Sequence, residues 1–391
     1  MSQRYLPLAE LRRIRALDAD PHDRAAAFAD ACRLNALYMI ARAGSGHIGT
    51  SFSCLDILAW LHLEVLRDGD RCFSSKGHDA PGTYAVLAGT EKLPFELIHG
   101  LRRLGGLPGH PDVVTHPVVQ TSTGSLGMGI SKAKGFVAAD RLAGREGRVY
   151  VLTGDGELQE GQFWESLGSA ANRRMGEITA IVDRNKLQSD TWVDQVSDLG
   201  DLQAKAVAWG WACGRCDGHD LRALDAALTS LHREAPETPR LLIADTVKGA
   251  GVSFMEPREL EHTPRALYGF HSGAPSEEQY EAAVAELEGR LNRRLEALDA
   301  APAGLEPDGD RWGAVEGRRP AMSGAPAPGG GAPPGDEGAA AQVAPIPATP
   351  GEAQRLIPAY AAALEEMGED EPRLVVLDAD LVLDCGLIPF R

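Results

Sequence analysis

The 391-residue chain is 43% hydrophobic and carries 56 acidic against 39 basic side chains, for a net charge of −17. Such a length buries a full core with room for two domains, and the acidic balance excludes nucleic acid and anionic membranes as principal partners. No stretch approaches the roughly 20 apolar residues that cross a bilayer, and residues 1–23 lack the apolar core of a secretory signal, so no membrane partner and a cytoplasmic location are expected.

In chain order, helical and strand patterns alternate through residues 1–300, as in an α/β domain. Residues 23–43 form a helix closing at Gly44, a residue suited to a left-handed cap. Residues 148–152 read as a buried strand, 159–173 as a helix and 178–182 as the next strand, a βαβ unit that makes its two strands parallel. Residues 241–247 supply another apolar strand. Ser276-Glu-Glu-Gln279 has capping-box spacing, and Tyr280, Val284, Leu287, Leu291, Leu295 and Leu298 follow at helical intervals as a packing stripe. Among the cysteines, Cys32, Cys54, Cys72 and Cys385 stand alone and read as buried free thiols. Cys213-Gly-Arg-Cys216 is a CxxC without a second pair or zinc-type histidine spacing, so no metal or redox role is assigned to it.

Over residues 301–351 the composition collapses into Ala, Pro and Gly, which bury too little apolar surface to offset ordering entropy, and a linker is expected. Residues 352–367 then look helical, and 374–377 form a strand ending in Asp378-Ala-Asp380. A helix and one strand begin a domain without finishing it, so residues 352–391 are expected to be completed by a second polypeptide.

Both strands of the βαβ unit stop in oxygen-rich clusters, Gly154-Asp155-Gly156 and Asp183-Arg184-Asn185. Ligands of parallel α/β sheets sit at such carboxyl ends. Gly154 and Gly156 turn the backbone tightly and let a ligand approach it. Asp155 offers a carboxylate, Asn185 an amide oxygen and Leu187 a backbone carbonyl. With two diphosphate oxygens and a water, these complete the octahedron of Mg²⁺, so a diphosphate cofactor clamped through magnesium is expected. Alone, Gly-Asp-Gly is a tight turn; the asparagine across one βαβ step turns it into a candidate metal site. Thr123-Gly-Ser-Leu-Gly-Met-Gly129 has no strand directly before it and the glycine order of no dinucleotide fingerprint.

The two clusters together resemble the thiamine diphosphate motif, and the surrounding sequence resembles transketolase. Gly44-Ser-Gly-His47, Ser75-Lys-Gly-His78, Gly109-His110-Pro111, Thr123-Gly-Ser-Leu-Gly-Met-Gly129, Leu158-Gln-Glu-Gly161 and Thr246-Val-Lys-Gly-Ala-Gly-Val-Ser-Phe254 stand in that family's order. The resemblance implies a parallel-sheet thiamine diphosphate-binding fold, with a diphosphate domain over 1–300 and the start of a pyrimidine domain over 352–391. It also implies transfer of a two-carbon ketol unit from a ketose to an aldose. His47, His78, His110 and His271 match positions that contact cofactor or substrate, and imidazoles suit proton transfer on sugar hydroxyls near neutral pH. Gly124, Leu126, Gly154, Asp155, Gly156, Asn185 and Leu187 match the cofactor site. Glu160 and Glu165, in the helix after the Gly-Asp-Gly loop, are counted with the cofactor-binding residues, Glu160 matching a glutamate of a subunit-interface network that links two active sites.

The match departs from the family at two places. The family's Trp-His-Gly reads Phe270-His271-Ser-Gly-Ala-Pro275 here, which makes Glu261-His262 a rival for the role of His271. The interval between His110 and Gly124 is also long, so Gly124 and Leu126 align by motif and not by spacing. In the family the carboxylate that activates the cofactor lies on the pyrimidine domain. One half of a split transketolase is therefore implied, working as a dimer of heterodimers on sugars or sugar phosphates. The alternatives are another thiamine enzyme, such as a deoxyketose-phosphate synthase, or a non-catalytic regulatory subunit that kept the fold.

Overall fold

The apolar runs near 150 and 180 become the middle of a five-stranded sheet in a computed structural model that describes residues 3–309. Its strands are β1 (Arg71–Ser74), β2 (Val149–Gly154), β3 (Ile178–Arg184), β4 (Ala212–Asp217) and β5 (Arg240–Asp245), in the order β1-β2-β3-β5-β4. Every neighbouring pair is parallel, as the βαβ reading requires. Successive residues of β2 serve opposite layers because side chains alternate along a strand. Tyr150 and Leu152 pack with α1 (Pro21–Ala43), α2 (Ile48–Trp60), α3 (Ala80–Gly89), α6 (Leu221–Glu234) and α7 (Glu277–Ala297). Val149 and Val151 pack with α4 (Gly129–Leu142) and α5 (Gly161–Asn172). The sheet is thus sandwiched between helices, the arrangement that lets a parallel sheet bury both faces.

Helix α1 starts earlier than the expected residue 23. The Asp20 carboxylate accepts from the backbone N–H groups of His22 and Asp23, and Pro21 occupies the first turn. It ends, as the sequence implies, at Gly44 with φ 69°. The helix expected over 159–173 is corrected. A 3₁₀ turn covers Gly156–Gln159, Glu160 is extended, and α5 begins at Gly161. The cause is Glu157, whose buried carboxylate takes the N–H of Gly154 at 3.1 Å and holds the chain in a tighter turn than an α-helix allows.

At the start of α7 both halves of the Ser276/Gln279 capping box form. Ser276→Ala is expected to lower the stability of this domain by about 1 kcal/mol, read as a lower Tm; an unchanged Tm would mean that the cap contributes nothing. Packing continues past the expected edge at 300. Arg4–Tyr5 pairs antiparallel with Glu306–Pro307, and Tyr38 donates to buried Asp308 at 2.6 Å. The remaining linker and the segment 352–391 lie outside the described residues.

Cys213 and Cys216 are free thiols on β4. Being three apart on a strand they face opposite sides, and burial pushes them up to about 11 and about 12, which suits neither metal nor redox work. The stretch Ile48–Val65 is apolar enough to cross a bilayer by composition, but 78% of it is buried inside the domain, where it serves as a core helix.

Candidate active site

The carboxyl ends of β2 and β3 lie in register, Gly154 opposite Asp183, so Asp155 and Asn185 leave adjacent strands at one edge. Asp155 accepts from Gly156 N–H at 3.0 Å and from Lys186 N–H at 2.6 Å, which ties the two loops together. Burial, reinforced by the nearby Asp183 charge, pushes the Asp155 carboxyl up to about 7. Asn185 Oδ1 takes the Leu187 N–H at 3.1 Å. Between them Lys186 sits at φ 71° and Ser189 follows at φ 43°, left-handed turns that fold the Asn185–Leu187 segment back over the edge.

Asp183 is the internal support of this edge. It accepts from Ser53 and Lys76 at 2.6 Å each and from Thr246. Burial alone would raise its carboxyl, but the Lys76 ammonium and these donors hold it below the usual range. Lys248, which belongs to the Thr246–Phe254 motif but is given no role by the sequence alone, lies here too. It is 1% exposed and donates to the carbonyls of Leu187 at 3.2 Å and Ser189 at 2.8 Å. Burial pulls its ammonium down to about 8, against the raising pull of Asp155 and Asp183.

All four expected histidines meet. The rings of His78, His110 and His271 lie 5.3, 5.9 and 5.0 Å from that of His47. His271 owes its place to the residue before it: Phe270 O accepts from Gly49 N–H at 3.0 Å, pinning that loop to the start of α2 directly after His47. His262 stays outside, exposed, paired to Asp194 at 2.9 Å and packed on Trp192.

Burial, more than the neighbouring cations, keeps the cluster neutral: His78 falls to about 3, and His47, His110 and His271 also lie below the usual imidazole value. His78 Nδ1 lies 3.0 Å from the Lys76 carbonyl, which only accepts, so that nitrogen carries the proton and Nε2 is an acceptor. His47 Nδ1 and His271 Nδ1 are buried without a partner. Arg102, at φ 56°, donates to Ser45 at 2.5 Å and presses on Gly109, where a Cβ would lie 2.7 Å from its Nε. It links the loops that carry His47 and His110.

The long interval before Gly124 is absorbed as a loop, since Thr123 N–H and Oγ1 both return to Pro111 O at 2.9 Å. Gly124, at φ 115°, therefore directly follows a residue bonded to the neighbour of His110, and Leu126 is 36% exposed. Glu157 unites the motifs by accepting from Ser75 and from Gly127 N–H at 2.8 Å. Glu160 packs against Gly127 and is exposed, as is Glu165, which the structure does not bring to the site.

The residues fit a magnesium-linked diphosphate. Asp155 is a buried carboxyl without a cation bonded to it, Lys248 adds a buried positive charge beside the Leu187 carbonyl, and two imidazole nitrogens lack partners. Among the described residues no group of three His, Cys, Asp or Glu ligands exists, so a cation here relies on one carboxylate and neutral oxygens, and a diphosphate strengthens it.

The family model described as transketolase, thiamine diphosphate binding domain, matches residues 24–264. A parallel α/β sheet with this strand-end edge is the cofactor-binding domain of a thiamine diphosphate enzyme. The 6-deoxy-6-sulfo-D-fructose transketolase subunit SqwG of Clostridium sp. (strain MSTE9) is 34% identical over 66% of this chain and 94% of its own. One of the subunits of the apulose-4-phosphate transketolase of Phocaeicola vulgatus is 31% identical over 65% and 90%. Human transketolase is 32% identical over 60% of this chain but only 38% of its own length. The crystal structure of Campylobacter jejuni transketolase shares the fold at 24% identity and a TM-score of 0.61, over 72% of this chain and 47% of that one, so the chain spans about half of it. The chain belongs to the transketolase family.

Proposed function

We propose that the chain is one subunit of a two-chain, cytoplasmic transketolase that moves a two-carbon ketol unit from a ketose to an aldose, with thiamine diphosphate held through Mg²⁺ by Asp155, Asn185 and the Leu187 carbonyl. The observation that carries this reading is the meeting of four neutral imidazoles with a buried carboxylate, amide and lysine at one sheet edge. Bound thiamine diphosphate supplies the nucleophilic carbon and the electron sink for carbon–carbon cleavage. The chain's own residues bind and orient. Asp155 and Asn185 offer metal ligands, and Lys248 adds a buried cation that suits phosphate oxygens. Neutral His47, His78, His110 and His271 can each give or take a hydrogen bond, which suits uncharged sugar hydroxyls, and Nε2 of His78 is free to accept a proton. A silent subunit has no physical need for this set. The names of the subunit-sized relatives favour transketolase over a deoxyketose-phosphate synthase and support a partner chain; a dimer of heterodimers is the assembly the family resemblance implies.

Replacing the two rival histidines tests the site. In the assembled enzyme His271→Ala is expected to lower kcat by about a hundredfold or more, in the range of proton-transfer groups, with Tm nearly unchanged. His262→Ala should leave kcat within a factor of about two, because its ring lies outside the cluster. The reverse pattern would move the role to His262.

A further inference from the structure

A cavity of about 470 Å³ lies along the outer edge of β1, with Pro111 and Thr123 of the loop that carries His110 and Gly124 on one side. Its walls are largely apolar (Leu58, Phe73, Leu87 and Val119 among them), Arg67 stands beside Asp68 and Asp70, the Asp70 carboxylate takes the N–H groups of Arg67 and Arg148, and three other polar side chains are left without partners. Thr83 Oγ1, Gln120 Oε1 and Thr121 Oγ1 are buried and unbonded, and Thr121 is only 6% exposed. The strand adds two more. Arg71 and Ser75 N–H donate to Arg148 and Leu152 carbonyls on the β2 side, so the alternation of a parallel ladder turns the N–H groups of Cys72 and Ser74 toward the cavity. β1 has no second neighbour among the described residues.

At the rim stands Lys92, whose bonded neighbour is His62 Nδ1 at 3.1 Å. Burial lowers both groups, and His62, at about 3, is neutral, so the ammonium has no acidic counterpart bonded to it. Buried polar groups are normally satisfied, so several orphaned groups and an unpaired cation around one space mark a place for a ligand with complementary atoms. The volume falls within the roughly 300–1,000 Å³ of small-molecule sites. The donors and acceptors call for hydroxyls, and Lys92 calls for an anionic end.

We propose that this cavity binds a small anionic polyol, the size of glycerate or phosphoglycerate, with its charged group at Lys92 and its hydroxyls on Thr83, Thr121 and the open edge of β1. The cavity adjoins the loop of His110 and Gly124 without including either residue, and the proposal does not depend on the activity proposed above.

Calorimetric titration of the full chain with 3-phosphoglycerate, D-glycerate, inorganic phosphate and glycerol tests it. One of the two organic anions should bind at one per chain, and which of them binds identifies the head group as phosphate or carboxylate. Lys92→Ala should weaken binding by about tenfold or more and Thr121→Val by several-fold, with Tm within the wild-type range for the exposed Lys92. Saturating thiamine diphosphate with Mg²⁺ should not displace the ligand. The proposal fails if neither anion gives heat at concentrations up to ~10 mM, or if both variants bind like wild type. It also fails if the cofactor displaces the ligand, or if inorganic phosphate binds as well as 3-phosphoglycerate, which would indicate an adventitious ion only.

Discussion

Purified alone and given thiamine diphosphate, Mg²⁺, a ketose donor and an aldose acceptor, this chain is expected to transfer no ketol unit above background; activity should appear on adding a second chain that carries the remainder of a transketolase, and saturate near a one-to-one ratio. Two lines of argument meet here. The chain matches nearly the whole of a relative named as a transketolase subunit, 94% of its length, but only 38% of human transketolase. In the described domain, in turn, the buried carboxylates at the ends of β2 and β3 are already engaged. Asp183 is saturated by Ser53, Lys76 and Thr246, and Glu157 by Ser75 and two backbone N–H groups. Asp155 is committed to the proposed metal. A carboxylate beside the aminopyrimidine has to come from elsewhere, and the family resemblance puts it on the pyrimidine domain. Ketol transfer should be followed by product appearance with each chain alone and with the pair. Robust turnover by this chain alone would overturn the two-chain reading, whereas a mixture inactive with every ketose tried would count against the transketolase assignment of the site.

Some of this architecture is legible in sequence because its causes are local. The runs at 148–152 and 178–182 are apolar on both faces, which only a doubly covered parallel strand tolerates, and they became β2 and β3. Asp155 and Asn185 stood out because each closely follows such a run. Other features depend on contacts between distant segments. Lys248 sits in a stretch that matches the family, yet nothing local gives the lysine a role, and only the fold brings it within 3.2 Å of the Leu187 carbonyl. Glu157 reads as an ordinary acidic residue of a first helical turn, yet its bonds to Ser75, Gly127 and Gly154 convert that turn to 3₁₀ and delay α5. Competition between His262 and His271 likewise had no local answer. One backbone hydrogen bond, Gly49 N–H to Phe270 O, decides which ring joins the cluster. The cavity beside β1 could not be anticipated at all, because an edge strand and a middle strand of a parallel sheet share one composition.

Asp155→Ala is expected to weaken Mg²⁺-dependent thiamine diphosphate binding by at least about a hundredfold, since loss of even an outer-shell partner costs 10–100-fold and Asp155 is the only charged ligand of the proposed set. Asn185→Ala removes a neutral oxygen and should cost less. The pH dependence follows from the two perturbed groups of the edge. Burial and Asp183 hold the Asp155 carboxyl at about 7, and a ligating carboxylate must be ionised, so protons compete with the metal below that point. Cofactor affinity in Mg²⁺ should therefore fall by up to about tenfold for each pH unit below about 7. On the alkaline side Lys248, lowered to about 8, loses the charge that favours a diphosphate, so affinity should decline again above that value. The optimum lies between these limits, and binding on its acid side takes up metal and releases a proton. Asp155→Asn separates charge from shape: it should keep the fold and Tm, bind weakly, and lose the acid limb while keeping the alkaline one. Calorimetric titrations of cofactor at fixed excess Mg²⁺ across this range measure all three features. Affinity unchanged in Asp155→Ala would remove the carboxylate from the metal site, and an acid limb that survives in Asp155→Asn would assign the competing proton to another group.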